Sequence, residues 1–307
     1  MSVDLIDRSR ALTVGVTLPF NDHQASYANL LRTAKAVECA GFDSVWMADH
    51  LTGPTPSGAR RWHDVVVLLA NFAGLVPRIT LGTDVLVVGH RHAVLAAKML
   101  TTLDIVSAGR LIVGVGTGYI EKEFAEVGAN FAERGRMADE AIEVWKAVWS
   151  DGPTTFAGEW HTLTDACTEP KPLQRPGPPV WVGGTSRPAL RRAVRHADGW
   201  HPLGIGLDAL KGSIDELHTL AETYGRTTPL TLSYSAGFGL VTPQPNPDKS
   251  RVLLTGAPNQ VLADIAALRK LGVANVVLRP GLPSVNTDEV INSIQFAAAE
   301  VLPALQR

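Results

Sequence analysis

Short apolar runs of strand length alternate eight times with longer stretches of helical period, and that alternation restricts the fold more than any single motif. Leu12–Leu18 (LTVGVTL) reads as the first strand. The helix after it carries Tyr27, Leu30, Leu31, Ala34, Val37 and Ala40 on one face and closes at Gly41, a natural C-cap. Ser44–Ala48 is the second strand, with a helix over Asp64–Ala73. Ile79–Val88, rich in β-branched residues, is the third, with a helix over Ala93–Ser107. Leu111–Val115 leads into a glycine run and then a long helix over Arg134–Trp149. The period breaks across 151–179, a proline- and glycine-bearing insertion with a short hairpin around Thr155–Thr162. Val180–Val182, Gly199–Leu203, Thr231–Leu240 and Asn275–Arg279 are the last four strands. Their helices cover Arg187–His196, Leu207–Tyr224, Pro258–Leu271 and Thr287–Leu302, with an irregular stretch at 242–255.

Eight strand–helix units with no shift of composition predict one α/β domain over 1–307. The predicted fold is a single (β/α)8 TIM barrel with an insertion between units four and five. An open doubly wound sheet is the alternative, and it normally uses fewer strands. A net charge of −2 offers no basic face to nucleic acid or an anionic membrane. Cys39 and Cys167 stand far apart without a C-x-x-C partner, which argues against a disulfide framework or zinc knuckle and fits a reducing compartment. Met1–Arg10 is charged and lacks the apolar run of a signal peptide, and no stretch reaches the ~20 apolar residues of a membrane helix. The expectation is a soluble cytoplasmic protein that handles a small molecule.

Barrel enzymes take their chemistry from strand C-termini and the loops after them. Asp49-His50 ends the second strand. The histidine can move a proton near neutral pH while the aspartate orients the ring or meets a ligand; a surface cap pair is the plainer reading. Gly114-Val-Gly-Thr-Gly118 ends the fourth, where glycines admit positive φ and close backbone approach; its spacing is not G-x-G-x-x-G. Gly183-Gly184-Thr185-Ser186 opens a helix bearing Arg187, Arg191 and Arg192, a cradle for phosphate at a helix N-terminus or else an ordinary N-cap. His90 and His92 lack the carboxylates of a metal site, so no metal is expected. Trp145 and Trp149 read as shell packing, and Glu121 and Glu123 as a solvated face. Arg279 ends the eighth strand as an anion grip or a structural ion pair. Trp62, His63, His90, Tyr119, His201, Tyr234 and Arg279 are candidates to line a substrate pocket.

Taken together, GFDSVWMADH (41–50), ITLGTDVLVVGHRHAVLAAKMLTTLDIVSAGRLIVGVGTGY (79–119) and VWVGGTSRPALRRAVRHADGWHP (180–202) resemble the bacterial luciferase-like superfamily. Within it, the likeness is to the branch that uses coenzyme F420, a deazaflavin. VGVTLP (14–19) fits as well, whereas the C-terminal third matches only in general pattern. The resemblance implies a non-proline cis peptide in a bulge of the third strand, near Thr83-Asp84-Val85, behind the cofactor's central ring. It implies cofactor contact and acid–base roles for Asp49 and His50, and places Thr117, Gly118 and Tyr119 beside the ring. Gly183, Gly184, Thr185 and Ser186 would hold the cofactor phosphate. Tyr119 departs from the sugar-phosphate dehydrogenases of the branch, which carry a glutamate there; a phenol with pKa about 10 is a poor base.

The function expected from the resemblance is a coenzyme F420-dependent oxidoreductase moving a hydride between the deazaflavin and a small organic substrate. An FMN-dependent monooxygenase served by a flavin reductase is the alternative, and a flavin- or phosphate-binding barrel without turnover is a third. No strand end offers the lysine of a Schiff-base lyase. Family members are often homodimers. Here the apolar run VVVLLANFAGLV (65–76) supplies either such a face or a helix packed on the barrel.

Overall fold

Parallel strands buried under helices need apolar residues on both faces, and the strand runs of this chain supply them. The computed structural model describes residue 5 and residues 11–20, 24–52, 61–248 and 250–305. Apart from Leu5, the charged stretch 1–10 lies outside the described residues. The strands are β1 (Thr13–Thr17), β2 (Ser44–Met47), β3 (Thr80–Thr83), β4 (Leu86–Val87) and β5 (Leu111–Gly116). After them come β6 (Thr154–Ala157), β7 (Thr162–Ala166), β8 (Val180–Gly183), β9 (Gly199–His201), β10 (Thr231–Ser235) and β11 (Val273–Leu278). The parallel order β3-β2-β1-β11-β10-β9-β8-β5-β4 closes on itself, because β3 also pairs with β5 through Leu81–Leu111 and Gly82–Ile112. With β3 and β4 as two halves of one interrupted strand, this is a closed eight-stranded parallel barrel, the predicted TIM architecture.

The helices are α1 (Tyr27–Cys39), α2 (Val65–Leu75), α3 (Ala93–Val106), α4 (Glu121–Glu126) and α5 (Arg134–Trp149). They continue as α6 (Arg187–His196), α7 (Leu207–Tyr224), α8 (Pro258–Lys270) and α9 (Thr287–Glu300). Ser26 caps α1 by accepting from Asn29 N, and Asp64 caps α2 by accepting from Val66 N and Val67 N. Most of the apolar run of α2 is buried on the barrel, while Val67 and Leu75 stay exposed. The insertion folds back as the antiparallel β6–β7 hairpin, a little longer than the short hairpin expected around Thr155–Thr162. Trp145 and Trp149 are shell packing as read, each donating its indole N–H to a carbonyl of α3 (Ala93 and Ala97).

The third strand departs from the continuous run read over 79–88. It breaks at Asp84-Val85, where the expected non-proline cis peptide is found. The side chains explain the break: Asp84 turns into the barrel, where its partners converge from four other strands or their ends. Its Oδ2 accepts from Thr17 Oγ1 at 3.0 Å, from Ser235 Oγ at 3.0 Å and from Arg279 Nη2, and its Oδ1 faces His201 Nε2 at 3.1 Å. Below this cluster Trp46 stacks on His201 and on Trp181, with ring centroids 4.8 and 5.5 Å apart. Gly82 makes that stack possible, since a Cβ there would lie 2.2 Å from the Trp46 ring.

Burial disfavours a charge on Asp84, yet the Arg279 guanidinium, His201 and the Thr17 hydroxyl outweigh it and hold the carboxyl well below the usual carboxylate range. A depressed folded-state pKa stabilises the fold at pH values above the unfolded value of about 3.9, and that share is lost as pH falls below it. Asp84→Ala leaves Arg279 buried without its carboxylate. The expected loss is about 3–5 kcal/mol in urea denaturation at pH 7, with a smaller difference from wild type near pH 3.

Candidate active site

Asp49 and His50 leave the end of β2 side by side but make separate contacts, as alternation along an extended chain dictates. Asp49 is 2% exposed. Its oxygens accept from Val87 N at 3.0 Å and from both terminal nitrogens of Arg91 at 2.6 and 3.0 Å. Arg91 continues to Asp64, the cap of α2. Asp49 therefore clamps the end of β2 to β4 and α2. It does not orient the His50 ring, which was one of the roles expected of it.

The His50 ring is oriented instead by Glu123, which the sequence reading had placed on a solvated face with Glu121. Glu121 is exposed, but Glu123 is 1% exposed. Its Oε2 lies 2.9 Å from His50 Nδ1, and its Oε1 accepts from Leu51 N at 2.9 Å and Thr52 N at 3.0 Å. The only sequence signal for this role is position. Glu123 precedes Phe124, the wholly buried residue of α4, and so sits at the edge of a buried face. A carboxylate accepts only, so His50 Nδ1 donates, and in the neutral ring the lone pair is then on Nε2. Nε2 is 3.5 Å from the Tyr119 hydroxyl, and the ring packs on Trp62 at 4.5 Å and edge-on to Tyr119 at 5.5 Å. Tyr119 is 68% exposed at the mouth.

Beside this pair stands Val85, half-buried on the bulge, with Gly114, Gly116 and Gly183 around it. A Cβ on Gly116 would come within 2.6 Å of Val85 Cγ2, and one on Gly183 within 3.1 Å of Cγ1. The glycines thus clear an apolar platform at the strand ends. Gly118 holds φ +75° over Phe124 and Val87. Thr83 is buried and donates to Gly114 O at 2.6 Å, and Asp84 faces the interior; both support the platform from beneath rather than line it. Gly184, at φ +89°, turns the chain from β8 into α6, where Thr185 and Ser186 are exposed and Ser186 is the N-cap without a side-chain cap bond. Arg187 is engaged by Glu216 at 2.8 Å, and Arg192 is buried against Asp139 rather than solvated. The turn accordingly offers backbone N–H groups and two hydroxyls, the components of an anion cradle.

Several pocket candidates lie elsewhere. His201 and Tyr234 are each 1% exposed in the barrel wall, the first on Asp84 and Ser233 and the second donating to Ile205 O. His63 contacts Ala25 O, and His92 lies exposed against His161. Burial pushes the His90 imidazole below its ordinary pKa, although Asp49 and Glu123 oppose that shift. Among the described residues no group of three or more His, Cys, Asp or Glu side chains is placed to hold a metal. A cavity of about 510 Å³ opens at the opposite end of the barrel around Arg110, Trp149 and Trp181, but no histidine lines it.

The sequence model of the luciferase-like monooxygenase family matches residues 12–249. The FMNH2-dependent dimethylsulfone monooxygenase of Pseudomonas putida is 28% identical over 202 residues, covering 65% of this chain and 55% of that protein. The F420-dependent glucose-6-phosphate dehydrogenase of Kineococcus radiotolerans is 34% identical over 206 residues, covering 63% of this chain and 58% of that protein. The match therefore spans little more than half of either relative's length. The F420-dependent tetrahydromethanopterin reductase from Methanopyrus kandleri shares the fold, with a TM-score of 0.79 at 18% identity over 96% of this chain and 100% of that one. Among the described residues no helix is long and apolar enough to cross a membrane.

Nitrogen-15 correlation spectra of the imidazoles are expected to show neutral His50 protonated at Nδ1. In Glu123→Ala the proton should move toward Nε2, and a signal unchanged between the two proteins would refute the orienting role.

Proposed function

The chain belongs to the luciferase-like monooxygenase family, and from that premise we propose that it is a coenzyme F420-dependent oxidoreductase working at the C-terminal mouth of the barrel. When bound, the deazaflavin supplies hydride chemistry toward a small organic substrate. The observation that carries this reading is the His50–Glu123 pair. Glu123 Oε2, 2.9 Å from Nδ1, holds the proton there, so the Nε2 lone pair of the neutral ring is presented at the mouth. Moving a hydride to or from a carbon that bears oxygen requires a proton to move at that oxygen. His50 Nε2 accepts or returns it, and the Glu123 carboxylate stabilises the imidazolium.

The residues present suit the cofactor. Val85 offers an apolar surface that Gly116 and Gly183 leave clear, and Thr117, Gly118 and Tyr119 lie along the adjacent strand exit. Gly183-Gly184-Thr185-Ser186 would receive its phosphate at the α6 N-terminus. Thr83 and Asp84 hold the platform, while Trp62 and Tyr119 shield the imidazole from water. The identity to an F420-dependent dehydrogenase supports the deazaflavin.

A second reading, an FMN-dependent monooxygenase fed by a flavin reductase, is favoured by the similarity to the dimethylsulfone enzyme and uses the same mouth. Fluorescence titration of the protein with oxidised coenzyme F420 and with FMN, side by side, separates the two. Preference for the deazaflavin is expected; tight FMN binding with none of the deazaflavin would replace the first reading by the second. His50→Ala is expected to lower kcat by about 10²–10⁴-fold with cofactor affinity retained.

A further inference from the structure

Thr80, Leu111, Val180 and Thr231 begin β3, β5, β8 and β10, and all four border the cavity of about 510 Å³ at the N-terminal end of the barrel, away from the mouth. That volume suits a small molecule. Part of the wall is Trp181, which is 5% exposed and held in place by its stack on Trp46. The buried indoles of Trp46, Trp145, Trp149 and Trp200 each donate to an acceptor. The Trp181 N–H makes no hydrogen bond among the described residues, and unlike the unpartnered Trp62 Nε1 it is not sealed from solvent. Gly199 leaves room at that edge, since a Cβ there would lie 2.8 Å from Trp181 Nε1.

Charge around the cavity is unbalanced. Arg110, Lys146 and Arg175 line it, against the single carboxylate of Asp198, whose Oδ2 accepts from Val180 N at 2.8 Å. The Arg110 guanidinium donates to the carbonyls of Ala73, Val76 and Ile79. A helix end such as that of α2 carries only about half an elementary charge, so much of the cation is left over. Glu38, the acid whose charge reaches Arg110, is itself bound to Arg78. Arg175 pairs with Asp151 at 3.4 Å, but both side chains are exposed and such a pair is weak. Lys146 is exposed and has no salt bridge among the described residues. Pro176, Pro179 and Ile112 give the remaining wall apolar side chains. Phosphate would leave oxygens unpaired against them, whereas one carboxylate on an apolar ring suits both surfaces.

We infer that this cavity is a second ligand site, for a small aromatic carboxylate that accepts from Trp181 Nε1 while Arg110 and Lys146 balance its charge. Its ring packs on Pro176, Pro179 and Ile112. The cavity lies at the far end from the mouth, so it fills with or without a cofactor.

The test is calorimetric titration of the full chain with benzoate, its neutral isostere benzamide and inorganic phosphate, with the indole N–H signals followed in nitrogen-15 correlation spectra. Benzoate is expected to bind about tenfold more tightly than benzamide, the factor for one charge-assisted hydrogen bond, and to move the Trp181 indole signal. Trp181→Phe keeps a ring without the N–H and should remove most of that preference. Lys146→Met, at an exposed position, should weaken benzoate about threefold and leave benzamide unchanged. If Trp181→Phe fails to fold, Lys146→Met and the wild-type Trp181 signal still decide. Equal binding of benzoate and benzamide would mean that the charges are merely solvated. Displacement of benzoate by an equal concentration of phosphate would mean a plain basic patch. Movement of the Trp62 signal in place of that of Trp181 would put benzoate at the mouth. Any of these three results overturns the inference.

Discussion

A carboxylate buried in the middle of a barrel has to be surrounded by donors, and Asp84 is surrounded from every side. Thr17 at the end of β1, Ser235 on β10, Arg279 after β11 and His201 on β9 all reach it. The strands they come from are tied at their C-terminal ends to one point, and that point lies on the interrupted third strand. With Asp84 drawn inward, Val85 is left facing the mouth between Gly116 and Gly183. The interior ion pair and the apolar platform are thus two consequences of one turn of backbone. A buried ion pair is poor evidence of net stabilisation, but leaving either charge unpaired is costly, so the pair constrains the geometry around it.

A second buried carboxylate does comparable work at the rim. Glu123 gathers His50, Leu51 N and Thr52 N, so the residues after β2 are held by a short helix that follows β5. The imidazole is in consequence fixed in ring orientation and tautomer. Asp49, its neighbour in sequence, holds Arg91 and Val87 N. Two residues adjacent in sequence therefore make different contacts: Asp49 clamps the end of β2, and His50, the proton carrier of the proposed function, takes its support from elsewhere.

Much of this was legible before folding. The eight units, the insertion, the strand ends and the two glycine turns follow from periodicity and from residue types with narrow backbone demands. His50 and the Asp84-Val85 bulge stood out through position or resemblance. Residue type alone reads the third strand as continuous, because Gly82 and Asp84 are the only residues of 79–88 that are neither apolar nor β-branched, and nothing local says that Asp84 has donors waiting inside. Glu123 was misread for the matching reason: Glu121 and Glu123 look alike along the chain, yet one is exposed and the other buried.

The sequence alone thus determined the architecture and which residues stand at the C-terminal ends of its strands, since strand and helix periods are local and survive in any context. The tertiary structure decided what each charged side chain does. Asp84 and Arg279 are 195 positions apart, and His50 and Glu123 are 73 apart. The role of a carboxylate depends on which donors come within about 3 Å of it. That distance is created only when the ring of strands closes.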